Sequence, residues 1–90
     1  EVLRLVRSFF DAAKPVAALC HAPWLLVDAG IAAGRTLTSY HTIRRDLENA
    51  GARWVNENAV VDGNLLTSRD PDDIPPFNRA MLRLFSSDGA

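Results

Sequence analysis

The apolar run Val16-Ala17-Ala18-Leu19 stops abruptly at Cys20-His21, and Pro23 follows almost at once. Continuous apolar residues after Lys14-Pro15 suit a strand covered on both faces in a parallel sheet. Pro23 suits the first turn of a helix, where its missing N–H costs nothing. Between such a strand and such a helix there is room only for a sharp turn, with Cys20 at its apex. A turn of this kind lifts the apex side chain clear of the sheet and aims the N–H groups of the following helix at it. Those groups carry partial positive charge, which favours a thiolate over a thiol.

In an arbitrary chain, a lone cysteine at the end of an apolar run is more often a small buried hydrophobe. The strand-to-helix position, the adjacent His21 and Pro23 tilt the balance toward a nucleophile. Neighbours on an extended strand point to opposite faces, so Cys20 and His21 share a site only if the turn is strained.

The remaining elements follow from spacing. Val2, Val6, Phe9 and Ala13, broadened by Leu3 and Phe10, predict a helix over 1–13 that Lys14-Pro15 ends. A short helix over 22–29 closes at Gly30, and Arg35 to Thr38 reads as a short strand. Ile43, Leu47 and Ala50 line one side of a helix from about His41 to Ala50. Arg53 to Val55 and Ala59 to Val61 read as strands, and Asp62-Gly63-Asn64 turns the chain into Leu65-Leu66-Thr67. Ile74, Phe77, Met81, Leu84 and Phe85 form the stripe of a last helix, with Pro75-Pro76 dividing off its first turn and 86–90 a frayed tail. Alternating helices and strands imply a three-layer α/β/α domain around a mostly parallel, flavodoxin-like sheet. The strand at 16–19 is expected to be central in it. Nothing before the helix at 1–13 supplies a neighbour for that strand, so the sheet is expected to lack its N-terminal strands, with residues 1–90 the C-terminal portion of a single domain.

Ala18-Leu19-Cys20-His21-Ala22-Pro23-Trp24-Leu25-Leu26 resembles the nucleophile-elbow signature of the ThiJ/PfpI family, within the class I glutamine-amidotransferase-like superfamily. Gly34-Arg35-Thr36-Leu37-Thr38-Ser39-Tyr40 and Thr67-Ser68-Arg69-Asp70-Pro71-Asp72-Asp73-Ile74-Pro75 match in order and spacing. The stretches 46–52 and 60–65 are similar to its PfpI branch. Two departures stand out: Ala22 where the family usually has glycine, and His41 where proline commonly follows the Ser-Tyr pair. The resemblance implies an intracellular cysteine hydrolase acting on peptides or on glycated-protein and α-oxoaldehyde adducts, with Cys20 as nucleophile and His21 as base or proton shuttle. It also implies a homo-oligomer, and an acidic partner and second oxyanion donor on a segment N-terminal to this chain. The amidotransferase relatives use a downstream His-x-Glu, whereas His41 is followed by Thr42 and Ile43, which argues against glutamine hydrolysis. A redox or stress sensor, or a chaperone, would use the same Cys20 without turnover.

Composition narrows the partners. Lys+Arg 10 against Asp+Glu 11, a net charge of −1, gives no signature of nucleic-acid or acidic-membrane binding. No apolar run approaches the ~20 residues of a membrane span. Glu1-Val2-Leu3-Arg4 lacks the pattern of a signal peptide, and a single cysteine builds neither an internal disulfide nor a thiolate zinc cage. The expectation is a cytoplasmic protein with no cofactor and no metal. Secondary candidates carry competing structural explanations. His41 reads as a helix-start histidine, Arg69 as a partner of Asp70 or Asp73 rather than of a substrate carboxylate, and Trp24 and Trp54 as packing residues. Tyr40 stays undecided, and Ser39 and Ser68 have no evident activating base.

Overall fold

The computed structural model describes residues 2–12 and 14–89. Helix α1 (Val2–Asp11) leads into strand β1 (Val16–Leu19), then helix α2 (Trp24–Asp28) and strand β2 (Thr36–Leu37). A 3-10 turn (His41–Ile43) runs into α3 (Arg44–Asn49), followed by β3 (Arg53–Trp54), β4 (Val60–Asp62) and β5 (Leu65–Ser68). A second 3-10 turn (Pro71–Asp73) opens α4 (Ile74–Gly89). Glu1 and Ala13, the ends expected for the first helix, lie outside the described residues, as does Ala90.

Strand β1 runs parallel to β5 with Val16 opposite Leu65 and Leu19 opposite Ser68, and β4 and β5 form an antiparallel hairpin. Gly63, at φ 61°, makes the left-handed turn between them, as the Asp-Gly-Asn signal predicts. Strands β2 and β3 pair in parallel as a separate short ribbon. It is tied to the larger sheet by side chains: the Thr36 N–H donates to Asp62 Oδ2 over 2.7 Å, and the Thr38 N–H to Thr67 Oγ1 over 2.9 Å.

Alternation along β5 separates two apolar layers. Leu65 joins Leu26, Leu37, Ile43 and Leu47 in the main core, with Val16 packed at its margin. Leu66 sits opposite Val61 on the other face, where Val61 and the α4 residues Ala80 and Leu84 border one groove. The domain is therefore α/β in three layers, with two of its three strand pairings parallel among the described residues.

In the larger sheet β5 lies between β4 and β1 among the described residues. Three expectations are corrected. Pro75-Pro76 divides nothing. Both lie in the first turn of α4, where their missing N–H groups cost nothing, and the break falls at the Pro71–Asp73 turn before it. Helix α4 continues through the expected tail to Gly89, since no proline interrupts it there. Its best-buried described residue is Ala80, at 5% exposure, while Ile74 and Phe85 of the predicted stripe are exposed. A small residue lets the helix approach the sheet closely, which a stripe of large side chains does not reveal.

Candidate active site

Beyond Leu19 the chain reverses within one residue. Cys20 stands at φ 67°, the one non-glycine residue with positive φ among the described residues. A side chain in this left-handed region costs roughly 1–2 kcal/mol, so the surroundings must hold it. They do so from both sides. The Cys20 N–H donates to the Ser68 carbonyl over 3.1 Å, continuing the β1–β5 ladder by one rung, and its carbonyl accepts the Tyr40 N–H over 2.7 Å. Cys20 is thus clamped between the carboxyl ends of β5 and of the β2 segment, where ligands bind in open α/β sheets.

The strained turn brings the two side chains together. Cys20 Sγ lies 3.6 Å from His21 Nδ1, with the thiol half-buried and the imidazole exposed. His21 Nε2 lies 3.3 Å from Thr42 Oγ1, and the Tyr40 ring sits 4.9 Å from the imidazole at a tilt of 37°. The His41 ring also lies beside Tyr40, 4.6 Å away at a tilt of 35°. Tyr40 therefore belongs to the site, and His41 is the exposed helix-start histidine expected. Thr42 was not singled out in the sequence. It lies 21 residues from His21, and no local pattern marks it.

The helix contributes less than expected. The Ala22 N–H is taken by the Leu19 carbonyl and the Trp24 N–H by the His21 carbonyl, and Pro23 has none. Helix α2 is only five residues long. What remains at the turn is the His21 backbone N–H, which makes no hydrogen bond among the described residues. It directly follows Cys20, the position from which a backbone donor reaches a developing oxyanion.

The other candidates are occupied. Arg69 makes a two-pronged bond to Asp73, Nε to Oδ2 at 2.8 Å and Nη2 to Oδ1 at 2.9 Å, and its backbone N–H also donates to Oδ2. These hydrogen bonds hold the Asp73 carboxyl below the usual carboxylate range and raise the Arg69 guanidinium. Asp73 is 3% exposed, so the pair braces the turn after β5. Ser39 Oγ accepts the Trp54 indole N–H over 3.0 Å and donates to the Tyr40 carbonyl, which steadies the clamp segment. Ser68 Oγ donates to Asn58 O. Trp54 packs as expected, half-buried, whereas Trp24 is 48% exposed at the start of α2 and is not a packing residue of this chain's core.

Among the described residues no group of His, Cys, Asp and Glu could hold a metal ion, and no helix is long and apolar enough to cross a membrane.

The family model of the DJ-1/PfpI family matches residues 1–84. Over 82 residues the chain is 48% identical to protein/nucleic acid deglycase 2 of Escherichia coli, covering 90% of this chain and 48% of that protein. Over 78 residues it is 45% identical to the putative cysteine protease YraA of Bacillus subtilis, covering 87% of this chain and 46% of that protein. A crystal structure of a two-domain protein from Anabaena variabilis, containing DJ-1/ThiJ/PfpI-like and ferritin-like domains, superposes with a TM-score of 0.89 at 41% identity. That match covers 90% of this chain and 23% of the other. The chain spans about half the length of the curated relatives it matches. With a family model matching residues 1–84 and relatives at 45–48% identity, the chain belongs to the DJ-1/PfpI family.

Proposed function

We propose that the protein is a cysteine hydrolase of the deglycase or peptidase type, working inside the cell with Cys20 as its nucleophile. The observation that carries this reading is the left-handed backbone of Cys20 at a strand end, with His21 Nδ1 3.6 Å from the sulfur. Strain at a non-glycine residue persists only where the surroundings enforce it, and such residues concentrate at active sites. The names of the relatives, deglycase and putative cysteine protease, point to the same chemistry.

In the proposed step the thiol passes its proton to His21 Nδ1 and the sulfur bonds to the electrophilic carbon of the substrate. The His21 backbone N–H donates to the oxygen that gains charge. On a peptide the C–N bond then breaks, the amine leaves with the proton held by His21, and water hydrolyses the thioester to an acid and restores the thiol. On an α-oxoaldehyde adduct the carbon bonded to nitrogen is at the aldehyde level. After the amine leaves, the proton on that carbon therefore shifts to the neighbouring carbonyl carbon, which becomes an alcohol as the first carbon becomes a thioester, and water then releases a 2-hydroxy acid. The substrate is a carbonyl-bearing peptide or a glycated protein, and the working form is a homo-oligomer. The exposed Leu5 and Phe9 give the chain apolar surface for such association.

The test is release of free amine from a methylglyoxal-glycated peptide and from an unmodified peptide, by the protein and by Cys20→Ala. Cys20-dependent turnover of either is expected, with the variant losing essentially all of it and keeping its fold. Turnover that survives in Cys20→Ala rejects the nucleophile. A peroxide-sensitive Cys20 without turnover of either substrate turns the reading toward a redox sensor.

A further inference from the structure

His21 projects from an exposed turn, and its ring is exposed among the described residues. A base role for it needs more than proximity, because the ring must keep Nδ1 toward the sulfur with its lone pair available. Neutral imidazole carries a single N–H, so which nitrogen holds the proton decides what the other can do. Here the partner of Nε2 is the hydroxyl of Thr42, at 3.3 Å. When that hydroxyl accepts from Nε2–H, Nδ1 presents its lone pair to the Cys20 thiol. After the proton has moved, the imidazolium donates at both nitrogens, and the same Thr42 oxygen still accepts. The arrangement suits both states of the ring without rearrangement.

The segment that carries Thr42 is coupled to the nucleophile. Its first residue, Tyr40, donates its backbone N–H to the Cys20 carbonyl over 2.7 Å and lays its ring beside His21. Ile43, next to Thr42, is buried in the main core and fixes the 3-10 turn on the body of the domain. Thr42 is therefore held at a set distance from Cys20 by a backbone bond on one side and by packing on the other.

We propose that Thr42 is a positioning residue for the thiol chemistry, accepting from Nε2–H of His21 and turning Nδ1 toward Cys20 Sγ. This rests on the reading of Cys20 and His21 as nucleophile and base.

The experiment compares the full-length protein with its Thr42→Val and Thr42→Ser variants. Imidazole nitrogen NMR of His21 reports the tautomer, and amine release from a methylglyoxal-glycated peptide reports kcat and KM. Wild type is expected to hold the Nε2–H form. Thr42→Val should mix the tautomers and lower kcat about two- to twelve-fold, the range a single hydrogen bond supplies, with KM unchanged. Thr42→Ser should restore both. An Nδ1–H ring in wild type, a Thr42→Val protein with unchanged tautomer and kcat, or a serine variant that behaves like valine overturns the proposal. Cys20-dependent turnover that Thr42→Val leaves untouched keeps the hydrolase reading and rejects the role of Thr42. Absence of turnover in wild type rejects the hydrolase reading, while the nitrogen spectra still decide the contact.

Discussion

Strands β1 and β5 lie side by side, have the same length and run in parallel, yet their surroundings differ sharply. All four residues of β5 are buried, whereas in β1 only Ala18 is. Strand β5 has β4 on one edge and β1 on the other, with α4 over one face and the Leu26–Leu47 core over the second. On its far edge β1 has no strand among the described residues, and beside it an open apolar groove of about 230 Å³ is lined by Leu5, Val6, Phe9, Pro15, Val16 and Ala17. Among the described residues the β5 side is thus closed and the β1 side open, and Cys20 sits at their junction. Among the described residues the two backbone bonds to Cys20 come from the closed side: Ser68 O from β5, Tyr40 N–H from the segment after β2.

Truncation is the most direct way to break this contrast. Leu66→Ala, at a position with 0% exposure, should cost the 90-residue chain about 2–5 kcal/mol in denaturant unfolding. Leu5→Ala, at 58% exposure on the open side, should fall within about 0.5 kcal/mol. Equal costs would mean that the two sides are not different in packing.

The brace after β5 sharpens the comparison through pH. Because Arg69 holds the folded Asp73 below the usual carboxylate range, the ionised form is favoured by folding. The resulting stability is complete above the unfolded value of ~3.9 and is lost as pH falls toward the depressed folded value. Asp73→Asn should cost about 1–3 kcal/mol at neutral pH, since Arg69 loses its charged partner at a buried site. The gap between wild type and variant should narrow as the pH drops below that window. A gap that widens on acidification has the wrong sign for this linkage.

The smallest effect concerns the junction. Cys20→Gly relieves the left-handed strain but adds backbone freedom to the unfolded chain, so it should exceed Cys20→Ala in stability by about 0.5–1 kcal/mol. Thermal unfolding of the two variants compares them directly. A glycine variant less stable than alanine would show that the elbow is not strained.

Much of this was legible along the chain because it is local. An apolar run cut off at Cys20, Pro23 behind it, and Asp62-Gly63-Asn64 between two apolar stretches each dictate a backbone course within a few residues, and the elbow and the hairpin stand where those residues predict. Arg69 and Asp73 are four apart across a turn, so their pairing was open to inspection. Thr42 was not, because its role depends on a fold that returns residue 42 to residue 21. The helix N-terminus misled for the complementary reason. Proline and apolar spacing announce a helix, but not that the turn before it uses up the Ala22 and Trp24 N–H groups.

By itself, then, the sequence determined the order of elements, the strained position of Cys20 and the family likeness, since all three reside in short-range pattern and steric preference. Tertiary structure decided which helix residue meets the sheet and which groups hold His21. Those depend on contacts between segments far apart in the chain, whose distances are set by packing of the whole domain rather than by any stretch of it.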